Sequence, residues 1–139
     1  MIKTVFTLLL IFMMSFKSQS QNSSILIVNF KGMKSDVGKV YVGLHNTEDG
    51  FLKEHFREAI VKVENKTAQV RFENLPGGEY AISAFHDEND NEKLDTNFIG
   101  IPREPIGVSN NAKGFMGPPK YKDAKILLTN FKEITIFIE

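Results

Sequence analysis

Apolar and polar residues alternate along most of this chain, with the two-residue period of a β-strand. The clearest run is Thr67-Ala68-Gln69-Val70-Arg71-Phe72-Glu73. Ala68, Val70 and Phe72 share one face, and Gln69, Arg71 and Glu73 share the other. Further β-rich runs cover 25–30, 39–45, 59–64, 78–85, 124–129 and 133–138. Asn65-Lys66 fits a tight hairpin turn between two of them. Asn74-Leu75-Pro76-Gly77-Gly78 fits a turn whose Leu75 plugs the end of the fold. Only Asp49–Phe56 reads as helical, with room for about two turns. Seven such segments joined by short turns predict an all-β, antiparallel β-sandwich of about seven strands.

One insertion breaks the rhythm. Residues 86–123 hold four prolines and four glycines, together with Phe98, Ile99, Ile101, Ile106, Val108, Phe115 and Met116. Disordered segments are poor in such apolar residues, so a long ordered loop is expected, with a brief strand near 106–108. Phe115-Met116 reads as a plug over the open end of the sandwich rather than a binding lip.

The insertion opens on His86-Asp87-Glu88-Asn89-Asp90-Asn91-Glu92-Lys93-Leu94-Asp95, where five carboxylates face one lysine. Two readings stand. In one, a hard cation such as Ca²⁺ neutralises the cluster. Asp87, Asn89 and Asn91 match the first, third and fifth positions of a calcium loop, and Asp95 falls at the ninth. Glu92 stands at the sixth position, where an EF-hand needs Gly, and Phe98 at the twelfth, where it needs a bidentate Glu. A standard EF-hand is therefore excluded. In the other reading the Asx side chains cap their own backbone in a solvated turn. His86 beside the loop reads as a strand-end histidine bonded to a loop carboxylate or carbonyl.

Composition then narrows the setting. Lys3 followed by an apolar stretch of about 12 residues, too short to span a bilayer, reads as an export signal. Ser18-Gln19-Ser20 gives a cleavage site, so residues 1–20 are a signal peptide and 21–139 one β-sandwich domain. The chain has no Cys, which excludes a lipidated Cys, disulfides and thiolate chemistry. Without Lys3 and Lys17, the 17 basic residues fall to 15 against 17 acidic ones. That balance argues against nucleic acid as a partner. No other apolar run predicts a transmembrane segment. Asn22-Ser23-Ser24 and Asn65-Lys66-Thr67 fit the glycosylation triplet, which arises often by chance. No hydrolase, metalloprotease or dinucleotide motif is present.

These residues carry a resemblance. Phe72–Tyr80 resembles the hairpin of transthyretin-like sandwiches. The run from His86 to Asn97, then Gly100-Ile101-Pro102, Ser109-Asn110-Asn111 and Gly114–Pro119, resembles a secreted bacterial group, domain-of-unknown-function family 2141. The likeness covers nearly all of the chain after the signal. It implies a Greek-key sandwich of prealbumin type and an exported bacterial protein, and it imports no activity. Members of the family tend to carry Gly where Glu92 stands, a departure that weighs against calcium here.

The sequence thus leads us to expect an exported, periplasmic or extracellular, non-enzymatic binding domain for a protein or glycan partner. Ca²⁺ is its candidate cofactor, with Asp87, Asn89, Asn91 and Asp95 as ligands. An envelope enzyme or accessory using His86 and Asp87, and a metal-free structural domain, are the alternatives.

Overall fold

The computed structural model describes residues 23–139. The segment read as an export signal, and Asn22, lie outside them. The described chain is all-β. Its strands are β1 (Ser24–Lys31), β2 (Lys39–His45), β3 (Arg57–Lys62), β4 (Ala68–Leu75), β5 (Gly78–Asp87), β6 (Ile106–Val108), β7 (Ile126–Leu128) and β8 (Phe131–Phe137). One helical turn, α1 (Tyr121–Ala124), precedes β7.

The strands form two open sheets. The smaller has the order β4-β1-β8 and the larger β3-β2-β5-β6, with β7 also pairing β5. Alternation sets what lies between them. Leu26, Val28 and Phe30 of β1 point inward with Val70 and Phe72 of β4 and Ile136 of β8. They meet Val40, Val42 and Leu44 of β2 and Tyr80, Ile82 and Ala84 of β5 in one apolar core. Leu75 is fully buried in the same core, as its place before Pro76 suggested. The Tyr80 hydroxyl donates to the Pro76 carbonyl at 2.7 Å and fixes that turn.

Three expectations are corrected. Pairing is antiparallel everywhere among the named strands except between β1 and β8, which run parallel. The eight strands are the seven expected segments and the brief strand expected near 106–108. The 124–129 segment begins as the end of α1, and only 126–128 is strand. Residues 48–53 form hydrogen-bonded turns in place of a helix, because Leu52 takes a left-handed backbone (φ 61°) that no α-helix continues. Asn65 and Lys66, both left-handed, do make the expected tight turn. The flanking segments share only the Glu64–Thr67 bridge before they part into different sheets.

Candidate functional site

The outer face of the larger sheet departs from simple alternation. Its outward residues line up across the strands in register. One row is Glu58 on β3, Gly43 on β2, Ser83 on β5 and Val108 on β6. The next row is Ile60, Tyr41, Phe85 and Ile106. A face turned to water would carry polar groups in that second row. Here it is apolar and aromatic throughout. Tyr41 and Phe85 stack at 5.1 Å with an 11° interplanar angle, and Ile60 is 57% exposed.

Beyond the Ser83 row lies a second, smaller core made of Phe51, Ala81, Val108, Tyr121 and Ala124. His45 is buried beside it, its ring edge-on to Phe51 at 5.2 Å. His45 Nδ1 is 2.9 Å from the Glu54 carbonyl and Nε2 is 2.8 Å from Ser83 Oγ. A carbonyl only accepts, so Nδ1 carries the hydrogen and Ser83 donates to Nε2. Burial lowers the pKa of His45, which keeps the ring neutral. His55 packs against it at 5.1 Å and holds Glu58 Oε1 at 2.6 Å through its own Nδ1. Ser83 is half-buried and His55 is exposed.

At the other end of the face stands the acidic loop. Burial and the nearby Glu92 carboxylate raise the Tyr41 phenol above its ordinary value. Lys39 donates to Asp90 at 3.0 Å, and that partner raises the lysine's pKa. The loop begins at Asp87, which is fully buried at the end of β5. Gly38, left-handed at φ 78°, passes so close to the Asp87 carbonyl that no side chain fits there. Asp87 accepts the backbone N–H of Asn91 at 3.2 Å and of Glu92 at 2.8 Å, one on each oxygen.

The four sequence-predicted ligands come together in this loop. Asn89 Nδ2 donates to Asp95 Oδ2 at 2.6 Å, and Asn91 Nδ2 reaches Asp95 Oδ1 at 2.9 Å. Those two amides hold the Asp95 carboxyl below its ordinary pKa. Asn89 and Asn91 also accept the N–H two residues on, as Asx turns do. Self-capping by Asx side chains is thus what the loop displays. Among the described residues no three His, Asp or Glu side chains stand where they could share a metal ion. Glu104, which the sequence reading missed, reaches back to this loop. Its Oε2 accepts the Asp95 N–H at 3.0 Å, while Oε1 is buried without a partner.

His86 is a strand-end histidine, as expected: Nε2 donates to the Val37 carbonyl at 2.6 Å. Both His86 and Asp87 are fully buried. The expected plug is overturned. Phe115 and Met116 are 92% and 95% exposed, and Phe98 is 97% exposed, so these tips of the insertion face water. Among the described residues no helix is long and apolar enough to cross a membrane. A broad cleft of about 760 Å³ meets the apolar row at Ile60 and runs along Asn29, Lys62, Gln69 and Thr135. Gln69 donates to Asn29 there and Asn29 to Glu133, so that polar row largely satisfies itself.

No match was found among curated proteins or among solved structures. The family model described as "uncharacterized protein conserved in bacteria (DUF2141)" matches residues 28–135, and the chain belongs to that family.

Proposed function

We propose that this chain is an exported binding domain that takes a protein or glycan partner on the outer face of its larger sheet. The observation that carries the reading is the Ile60–Tyr41–Phe85–Ile106 row, apolar on a face where alternation calls for polar groups. Rings that are half-buried and stacked present area at little entropic cost. The self-capped acidic loop bounds the row on one side and gives the face a negative rim. Export rests on the N-terminal signal pattern. A Greek-key sandwich of prealbumin type goes with this reading, supported by the Phe72–Tyr80 resemblance.

The test is a two-dimensional NMR titration with a soluble muropeptide, which offers both sugar and peptide. Shifts should centre on Tyr41, Phe85 and their row neighbours, and Tyr41→Ala with Phe85→Ala should remove them. Shifts confined to other parts of the molecule, or none at saturating ligand, would sink the proposal.

Calcium is the second reading, favoured by two features of the loop. Glu92, at the sixth position, has the left-handed backbone that calcium loops place there (φ 66°). Glu104 keeps a buried oxygen without a partner beside Asp95. Asp87, Asn89, Asn91 and Asp95 would be the oxygen donors, with Glu104 in place of the carboxylate that Phe98 cannot supply. The cation would fix the shape of the insertion. Melts in excess Ca²⁺ and in chelator decide it. At about 100 times the dissociation constant the ion should add about 2.7 kcal/mol. Superimposable curves would remove calcium and leave the binding face untouched.

A further inference from the structure

We propose that Ser83 is the nucleophile, and His45 the base, of a hydrolytic site for small acyl esters on the outer face of the larger sheet. This goes beyond a binding role, which requires no reaction.

Three parts of an acyl-transfer site stand together. The nucleophile and base are in hydrogen-bond contact, Ser83 Oγ to His45 Nε2 at 2.8 Å. The base is oriented by a third group, since Nδ1–H is held by the Glu54 carbonyl at 2.9 Å. That bond fixes the tautomer in which Nε2 can take a proton, and burial keeps the ring neutral and ready to do so. The third part is a second imidazole beside the hydroxyl. Gly43 faces Ser83 across the β2–β5 ladder. A methyl group placed on Gly43 would stand 2.7 Å from His55 Nε2 and 3.2 Å from Ser83 Oγ. The His55 ring therefore occupies the space over Gly43, beside the Ser83 hydroxyl. His55 is anchored through Nδ1 to Glu58 at 2.6 Å.

A buried histidine needs partners, and Ser83 and Glu54 would satisfy His45 in any case. That need does not account for a second histidine, paired with its own carboxylate, standing over a glycine beside the same hydroxyl. Nor does it account for access. His45 is 1% exposed while Ser83 is half-buried, so an incoming molecule reaches the base only through the serine. The Tyr41–Phe85 row lies two residues along, about 7 Å away, as a platform for the apolar part of an ester.

In the first half-reaction Ser83 Oγ bonds to the ester carbonyl carbon as its proton passes to His45 Nε2. The carbon–oxygen bond to the alcohol then breaks, and the alcohol leaves with that proton. Water attacks the acyl-Ser83 carbonyl and gives a proton to Nε2. The bond to Oγ breaks, the proton returns to Ser83, and the carboxylic acid departs.

The full chain should be incubated with a fluorophosphonate probe and separately with p-nitrophenyl acetate, then digested and mass-mapped. We expect the phosphonyl adduct on the peptide carrying Ser83. Ser83→Ala should remove that adduct and lower ester turnover by about 10²-fold or more, and His45→Gln should slow labelling by a similar factor. The unsubstituted protein suffices to overturn the proposal, whatever the variants do to folding. A folded chain with Ser83 unmodified after prolonged exposure refutes it, as does Ser83→Ala hydrolysing the ester at the original rate. Muropeptide shifts at Tyr41 and Phe85 in Ser83→Ala report the binding face independently, so the two readings fail separately.

Discussion

Gly43 and Ser83 are register partners on β2 and β5, and the missing side chain at Gly43 is what lets the His55 ring lie over the sheet. Gly43→Ala would put a methyl group 2.6 Å from His55 Cδ2, so the ring must move. His55 is exposed, so its ring can swing into solvent at the cost of one surface contact. Ala also costs the unfolded chain conformational freedom, a gain for the fold of up to about 1 kcal/mol. We expect stability within about 1 kcal/mol of the parent, with the His55 ring-proton resonances shifted and its contact with Glu58 lost. Urea melts and histidine NMR check both halves. A loss of several kcal/mol would mean that the ring is locked in place.

Glu92 sits where the backbone is left-handed, a conformation that costs a residue with a Cβ roughly 1–2 kcal/mol. It is also the sixth residue of the loop that starts at Asp87. Glu92→Gly should therefore stabilise the domain by about 1 kcal/mol, the relief of strain exceeding the entropy glycine adds to the unfolded state. Removing one carboxylate from the acidic loop acts in the same direction. Thermal melts at two salt concentrations separate the contributions, because only the electrostatic part fades with salt. An unchanged or lower melting temperature would show that Glu92 makes a contact worth more than its strain.

The strands and the core faces were legible because burial on one side of a sheet writes a period of two into the chain. Ala68, Val70 and Phe72 all point inward as the pattern required. Partner choice leaves no such mark. Nothing in the alternation of Phe131–Phe137 says that β8 runs parallel to β1. The acidic loop was legible as a unit, since its ligand candidates fall within one short run, but Glu104 joins it from outside the motif. The Ser83 cluster was not read. His45, His55 and Ser83 meet only through the β2–β5 register and the turn after β2. One signal was available: Gly43 and His45 stand on the same face of β2 as Tyr41.

The buried neutral His45 makes stability depend on pH in a definite direction. Its folded pKa is lowered, mainly by burial, from an ordinary value of 6.5. Well above 6.5 neither state holds the proton. As pH falls through 6.5 toward the folded pKa, the unfolded chain takes up a proton that the native ring refuses, and stability is lost. Asp95, whose pKa is also lowered, loses its contribution in the more acidic carboxylate range, so the windows are distinct. Urea melts stepped between about pH 7 and 5 should show a decline that is shallower in His45→Gln. Parallel slopes in parent and variant would mean that His45 is protonated without cost.

Ser109 closes a gap that the strands leave open. The free side of β5 is covered by β7 along Gly78–Tyr80 and by β6 along Ser83–Phe85, and Ile82 falls between them. Its N–H donates instead to Ser109 Oγ at 2.9 Å, and that hydroxyl donates onward to the Ala124 carbonyl at 2.6 Å. Ser109 is fully buried, so water cannot stand in for it. Ser109→Ala would leave two buried backbone groups unsatisfied, each costing about 1–3 kcal/mol. We expect a loss of about 2–4 kcal/mol in urea unfolding, on the same principle. Hydrogen exchange at Ile82 should speed up well beyond the change at Val42, which is held by the ladder alone. A loss under about 0.5 kcal/mol, the range of an ordinary surface change, would show that the β5–α1 tie is dispensable and that β6 and β7 close the edge without it.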